Sequence, residues 1–289
     1  MPRPFRFGVN MITPAPGDAW RAKCRRAEEL GYDTVLVPDH LGMPSPFPAL
    51  VAAAEGTSHV QVGTFVLNCA FWNPVLLARE ITTAAALTGG RLELGLGTGY
   101  VREEFERAGV EWGTPRSRVD RLAHTVAELD RILGSPEQGP RPPLLIGGNG
   151  DRMLRLAAAH ADIAAFTGAR HAPDEGGGLM PLSAEALDER VAAYRKFAVN
   201  RTEPAELNLL LQLVAVTDDP SAAARPWAER LPGFTEEDVL ASPLVLIGSV
   251  EEITQRLLAR RERYGFSYFT VLEPYADALA PVVAELRGR

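Results

Sequence analysis

The sequence predicts an α/β protein, a (β/α)₈ TIM barrel with insertions after strands 4, 6 and 7. Three observations point there. Eight short apolar runs occur along the chain, each followed by a stretch of helical periodicity. Most of the runs carry no polar face, as parallel strands covered by helices do. The length, 289 residues, suits one such barrel. A doubly wound open sheet uses the same units, but the count of eight favours the barrel. Residues 1–289 are therefore expected to form a single domain.

The first strand is expected at 5–10, and Asp18 reads as the N-cap of a helix that runs to Leu30 and stops at Gly31. Residues 35–37 form a strand with no polar face, and 48–54 a short alanine-rich helix. The third strand spans 60–67 and ends in Asn68. Pro74 opens a helix to Leu87, closed by Gly89-Gly90. The fourth strand shows Leu92, Leu94 and Leu96 alternating, then an acidic, helix-like Glu103-Glu104-Phe105. Val119, Leu122, Val126, Leu129 and Leu133 lie at helical spacing in 118–133. A Pro/Gly-rich linker at 134–143 leads to a strand at 144–146, a helix at 151–160 and a strand at 162–166. Gly176-Gly177-Gly178 falls in the second insertion, and Ser183 caps a helix to Ala198. A seventh strand is expected over the whole of 207–216, then an insertion to about 246. Ser249 caps a helix to Tyr264 with Gly265 as its stop; 267–272 is the eighth strand and 275–286 the last helix.

The net charge of −7 argues against nonspecific nucleic-acid binding, which needs a positive footprint. Lys23 and Lys196 are the only lysines beside an arginine-rich remainder, a codon-bias signature rather than phosphate chemistry. The runs at 21–26, 116–121 and 256–263 read as solvated helix faces. Cys24 and Cys69 make neither a disulfide framework nor a zinc site. No HExxH or His/Cys cluster argues for a metal. No stretch approaches about 18 uninterrupted apolar residues, so no membrane span is expected. The first ten residues lack the apolar run of a signal peptide. A cytoplasmic protein is the resulting expectation.

In a barrel of this kind the chemistry sits at the carboxyl ends of the strands. Those ends read Asn10, Asp39-His40, Asn68, Gly97-Thr98-Gly99-Tyr100, Gly147-Gly148-Asn149, Thr167 and Glu273. Glycines bunched after a strand suit a sharp turn or the close approach of a ligand. An unperturbed imidazole changes charge near neutral pH, so His40 is the candidate acid or base, unless it merely caps the strand. Asp39 could orient a ligand ring or accept a hydrogen bond, and is the one convincing acid on this rim, with Glu273 weaker. His59, His124, His160 and His171 read as solvated. Gly147-Gly148-Asn149-Gly150 precedes a helix, so its backbone N–H groups could hold a phosphate or form a plain turn. Gly248-Ser249 is a second, weaker anion candidate.

FGVN at 7–10, VPDH at 37–40, GTFVLNCAFWNP at 63–74, RLELGLGTGYVREEF at 91–105 and PPLLIGGNGDRMLRLAAAHAD at 142–162 occur in this order. Together they resemble the bacterial luciferase-like family, and within it the coenzyme F420-dependent oxidoreductases. The resemblance covers nearly the whole chain. It implies a (β/α)₈ barrel with the deazaflavin across the strand ends, and Asp39 and His40 near its ring. It implies a bulge after strand 3 with a non-proline cis peptide at Phe65-Val66, which would lie with Asn68 beside the cofactor. Gly97, Thr98 and Gly99 would flank the cofactor, with Gly147, Gly148 and Asn149 near its phosphate. Hydride would pass between C5 of the deazaflavin and a small-molecule substrate, with His40 or Tyr100 handling the proton. The sugar-phosphate dehydrogenase branch has a glutamate where this chain has Tyr100 and a tryptophan where it has Pro44, which puts a sugar phosphate in doubt. FMN in place of F420, a non-catalytic flavin-binding protein and a barrel hydrolase are the alternatives. A homodimer follows by family analogy alone.

Overall fold

The computed structural model describes residues 3–134, 141–171, 179–231 and 233–289. The glycine run Gly176–Gly178 and most of the linker at 134–143 lie outside the described residues. Nine strand segments, β1 Arg6–Asn10, β2 Thr34–Val37, β3 Gln61–Thr64, β4 Leu67–Asn68, β5 Leu92–Gly97, β6 Leu144–Gly147, β7 Ile163–Phe166, β10 Glu206–Leu211 and β13 Phe266–Leu272, form one sheet. Every pairing in it is parallel. Its order is β3-β2-β1-β13-β10-β7-β6-β5-β4, and β3 also pairs with β5, so the sheet closes. Because β3 and β4 occupy one position, this is an eight-position parallel barrel, as the sequence predicts. Two small ribbons lie outside it: β8 Ala169–His171 with β9 Leu179–Pro181, and β11 Leu213–Val216 with β12 Val245–Gly248.

The helices are α1 Gly17–Glu29, α2 Pro46–Gly56, α3 Pro74–Leu87, α4 Arg102–Arg107, α5 Pro115–Leu133, α6 Asp151–His160, α7 Ala184–Phe197, α8 Pro220–Ala228, α9 Glu236–Ala241, α10 Val250–Tyr264 and α11 Ala276–Leu286. Asp18 lies in the first turn of α1 rather than at its cap, which is Pro16. None of the described helices is long and apolar enough to cross a membrane.

Strand residues alternate between two environments, although the runs look uniformly apolar. Val9, Val35, Val37, Leu92, Leu94, Leu96, Leu144 and Ile146 face outward into the core shared with the helices. The inward positions carry a smaller cluster, Leu36, Phe65, Leu145, Ile163, Ala165 and Tyr268, with Val66 and Leu210 partly exposed against it. At the amino ends, Arg6 pairs with Glu93 and Glu206, and Tyr268 donates to Glu93 at 3.2 Å. That closes the barrel floor with charge-assisted bonds.

Two strands differ from the sequence expectation. The run at 60–67 is interrupted, because a cis peptide joins Phe65 to Val66 between β3 and β4. The run at 207–216 is two strands. The chain leaves the barrel at Gln212, whose N–H donates to Leu244 O at 2.9 Å. Its apolar pattern continues because Leu213 and Ala215 of β11 pack into a satellite core with Ala224, Val239, Val245 and Ile247, while Val214 stays in the main core.

Candidate active site

The bulge after β3 organises the carboxyl end of the barrel. Four steps separate Gly63 from Leu67 while only three separate their partners Glu93 and Leu96, so one residue is extra. Thr64 bridges the interrupted ladder: its hydroxyl donates to Gly95 O at 2.8 Å and accepts from Gly95 N at 2.8 Å. The bulged backbone runs so close that a Cβ at Gly95 would lie 2.0 Å from Thr64 O. Val66 then fills the space at Gly97 and touches the open side of Gly147, where a Cβ would lie 3.4 Å away. Gly99, at φ +71°, packs on the Asn68 amide. The predicted glycines therefore first serve the bulge. Thr98 is half-buried beside them.

Asp39 holds this bulge from the other side. Its Oδ2 accepts from Asn68 N at 3.1 Å and from Trp72 Nε1 at 2.8 Å. Burial pushes its carboxyl above the usual range, against the pull of those two bonds and of His40. Asn68 in turn caps the 3₁₀ turn Cys69–Phe71 by accepting from Ala70 N.

His40 has a partner that sequence reasoning missed. Its Nδ1 lies 3.0 and 3.1 Å from the two oxygens of Glu104, which also accepts from Leu41 N at 3.2 Å. Glu104 is 8% exposed, and Phe105 beside it is fully buried. Phe105 pins α4 through ring contacts with Phe71 and Trp112. Glu104 thus replaces Glu273 as the second acid of the rim. Glu273 is spent on Lys23 and on the N–H groups of Ile12 and Thr13. The signal available in the sequence was the apolar Phe105, which turns its neighbour on the short helix inward. The Tyr100 ring stands edge-on to His40, centroids 5.3 Å apart, and is nearly half exposed. Partial burial and the nearby Glu104 carboxylate raise its phenol, so it stays protonated at neutral pH.

The β6 end supplies a different surface. Gly150 precedes α6, no side chain caps that helix, and a Cβ at Gly150 would meet nothing within 4 Å. Its first N–H groups are thus free for an anion. Asn149 donates to Thr167 Oγ1 at 2.8 Å and to Ala169 O at 2.6 Å, while its own Oδ1 is buried without a partner. Asn10 Oδ1, at the end of β1, is likewise buried and unpaired. Gly248-Ser249 is the opposite case. Ser249 and Glu252 cap each other in a capping box, and Glu252 crowds Gly248, so that helix start is already satisfied. Among the described residues no group of three His, Cys, Asp or Glu is placed to hold a metal ion.

The luciferase-like monooxygenase family model matches residues 4–268. The chain belongs to that family. A relative spanning most of it, F420-dependent glucose-6-phosphate dehydrogenase of Kribbella flavida, is 32% identical over 87% of both chains. A second, 5,10-methylenetetrahydromethanopterin reductase of Archaeoglobus fulgidus, is 27% identical over 55% of this chain and 52% of its own. Among solved structures, an F420-dependent secondary alcohol dehydrogenase in complex with an F420-acetone adduct superposes with a TM-score of 0.79 at 16% identity, covering 99% of this chain and all of that one. A type II Baeyer-Villiger monooxygenase of Pseudomonas putida in complex with FMN gives 0.70 at 16% identity, over 98% and 95% of the two chains. These two share the fold.

Against that luciferase-like frame, two cavities lie beside the rim rather than on it. One, of about 60 Å³, sits between the second and third insertions, lined by Ala169, Pro181, Gln212, Trp227 and Leu244 among others. The other, about 520 Å³, is a cleft between α1 and the start of α11 whose Lys23 and Arg26 are paired with Glu273 and Asp277.

Proposed function

We propose that the protein is a coenzyme F420-dependent oxidoreductase transferring a hydride between the deazaflavin and a small organic substrate. The observation that carries the cofactor is the likeness, along most of both chains, to a relative named as F420-dependent, whereas the FMN complex shares the fold alone. The residues present fit the group. The uncapped start of α6, beside Gly147, Gly148 and Asn149, would hold its phosphate, and the unpaired acceptors Asn10 Oδ1 and Asn149 Oδ1 suit its hydroxyl and ring N–H donors rather than the phosphate. Phe65, Val66 and Asn68 on the bulge, with Gly97, Thr98 and Gly99, would back its ring.

When bound, the deazaflavin supplies a carbon that takes up or gives a hydride. The protein's part is positioning and proton transfer. Asp39 keeps the bulge in place through Asn68 and Trp72. His40 takes the proton of a substrate hydroxyl as its hydride leaves, or returns one in the reverse direction. Tyr100, held protonated, donates a hydrogen bond to the same oxygen. The reading extends to a cytoplasmic homodimer. Val75 and Leu76, 59% and 51% exposed at the start of α3, are apolar surface that a second copy could cover.

A screen of alcohols and carbonyl compounds, followed by the absorbance of F420, tests this reading. With a substrate in hand, His40→Ala should cut turnover about 10²–10⁴-fold while the cofactor still binds. Unchanged turnover removes His40 from the chemistry.

A further inference from the structure

We propose that Glu104 is the positioning residue that sets the tautomer of His40. It rests on the reading of His40 as the group that moves the proton. An ionised carboxylate only accepts hydrogen bonds. Both Glu104 oxygens lie within 3.1 Å of Nδ1, so Nδ1 must be the donor and carry the proton. The second ring nitrogen, Nε2, then has a free lone pair. Among the described residues it has no hydrogen-bond partner, and the His40 side chain is 21% exposed. A solvated histidine side chain prefers the opposite arrangement, with the proton on Nε2, so the protein has to impose this one.

The carboxylate is itself fixed. Oε1 accepts a second N–H, from Leu41, in the loop that follows His40. Phe105, the next residue, is buried between Phe71 and Trp112 and holds α4 against the barrel. Three donor contacts converge on two oxygens, and a glutamine would have to turn an N–H toward one of the donors. Asp39 does not compete for the imidazole, since its Oδ2 is engaged by Asn68 N and Trp72 Nε1. Tyr100 meets His40 ring to ring, in a T-shaped pair. The Glu104 carboxylate meets His40 Nδ1 and Leu41 N, and it acts through His40.

The consequence is chemical. A bare Nε2 can take the proton of a substrate hydroxyl when its carbon loses hydride. The new N–H bond forms at Nε2 as the O–H bond breaks, the O–H electron pair becomes the carbonyl bond, and the hydride leaves to the cofactor. With the proton on Nε2 instead, the same ring could only donate, and this direction would stall.

The test reads the tautomer directly. Histidine-¹⁵N-labelled full-length protein gives long-range ¹H–¹⁵N correlations, with His40 assigned by its loss in His40→Gln. The neutral ring should show Nδ1–H. Glu104→Ala should move it to Nε2–H, and Glu104→Gln, which keeps the side-chain volume, should move it part of the way. A ring that carries Nε2–H in the native protein, or an Nδ1–H ring unchanged in both variants, overturns the proposal. Binding of F420 is measured in parallel. If the native protein fails to bind it, the functional reading falls while the tautomer result stands by itself. If it binds and a substrate is known, Glu104→Ala and His40→Ala should each lose about 10²–10⁴-fold, and the double variant no more than either. Additive losses would contradict an action through His40.

Discussion

Val66 occupies the space that a side chain at Gly97 would need: a Cβ there would lie 2.5 Å from Val66 Cγ2. Gly97→Ala should therefore cost about 1–3 kcal/mol of stability, as overpacking does. Val66→Ala in the same chain should recover much of that loss, because it removes the methyl in the way. A double-mutant cycle by denaturant unfolding measures the coupling. Independent effects would mean that the glycine is needed for something other than Val66.

The barrel floor gives a second prediction. Arg6 faces two carboxylates, Glu93 and Glu206, and burial already pushes Glu93 up against the pull of that arginine. Arg6→Met should destabilise the fold by about 3–5 kcal/mol, since it leaves buried carboxylates unpaired. Because the network lies at the amino ends of the strands, cofactor affinity in the folded variant should be unchanged.

Glu273 ties β1 to β13 and offers a pH test. Burial by itself would raise its carboxyl, but Lys23 and the N–H groups of Thr13 and Ile12 hold it below its ordinary value of 4.5. A depressed carboxylate contributes stability that is present above the unfolded value and is lost as pH falls through the folded one. Glu273→Gln should cost about 1–3 kcal/mol at neutral pH. Thermal unfolding at a series of pH values should show that gap closing below about pH 4.5.

At the end proposed to hold the phosphate, Gly148 sits at φ +150° with Met153 3.2 Å from its would-be Cβ. Gly148→Ala strains that turn and should weaken F420 at least about tenfold, near 1.4 kcal/mol. A deazaflavin lacking the phosphate tail should bind both forms of the protein alike.

The barrel was legible because its signal is repeated. Each of the eight positions shows an apolar run and a helix, so an error in one does not change the count. The sequence runs the seventh strand on to Val216 because Leu213 and Ala215 find a satellite core while Val214 keeps to the main one, and local pattern cannot say which core an apolar residue joins. The glycines of β5 were seen, but their first cause was not: Gly95 and Gly97 face Thr64 and Val66, residues some 30 positions away. The Leu92-Leu94-Leu96 alternation did carry that information, since it puts both glycines on the inward face. Glu104 was read only as part of an acidic helix start, because its meeting with His40 depends on how α4 folds back over the rim.

The bulge, the β5 glycines and the start of α6 together form the proposed ligand site, selective for a deazaflavin. Fluorescence titration of the purified protein with F420 and, separately, with FMN tests it most directly. Saturable F420 binding is expected, far tighter than that of FMN and weakened by Gly148→Ala. Preference for FMN, or no binding of either, would contradict it.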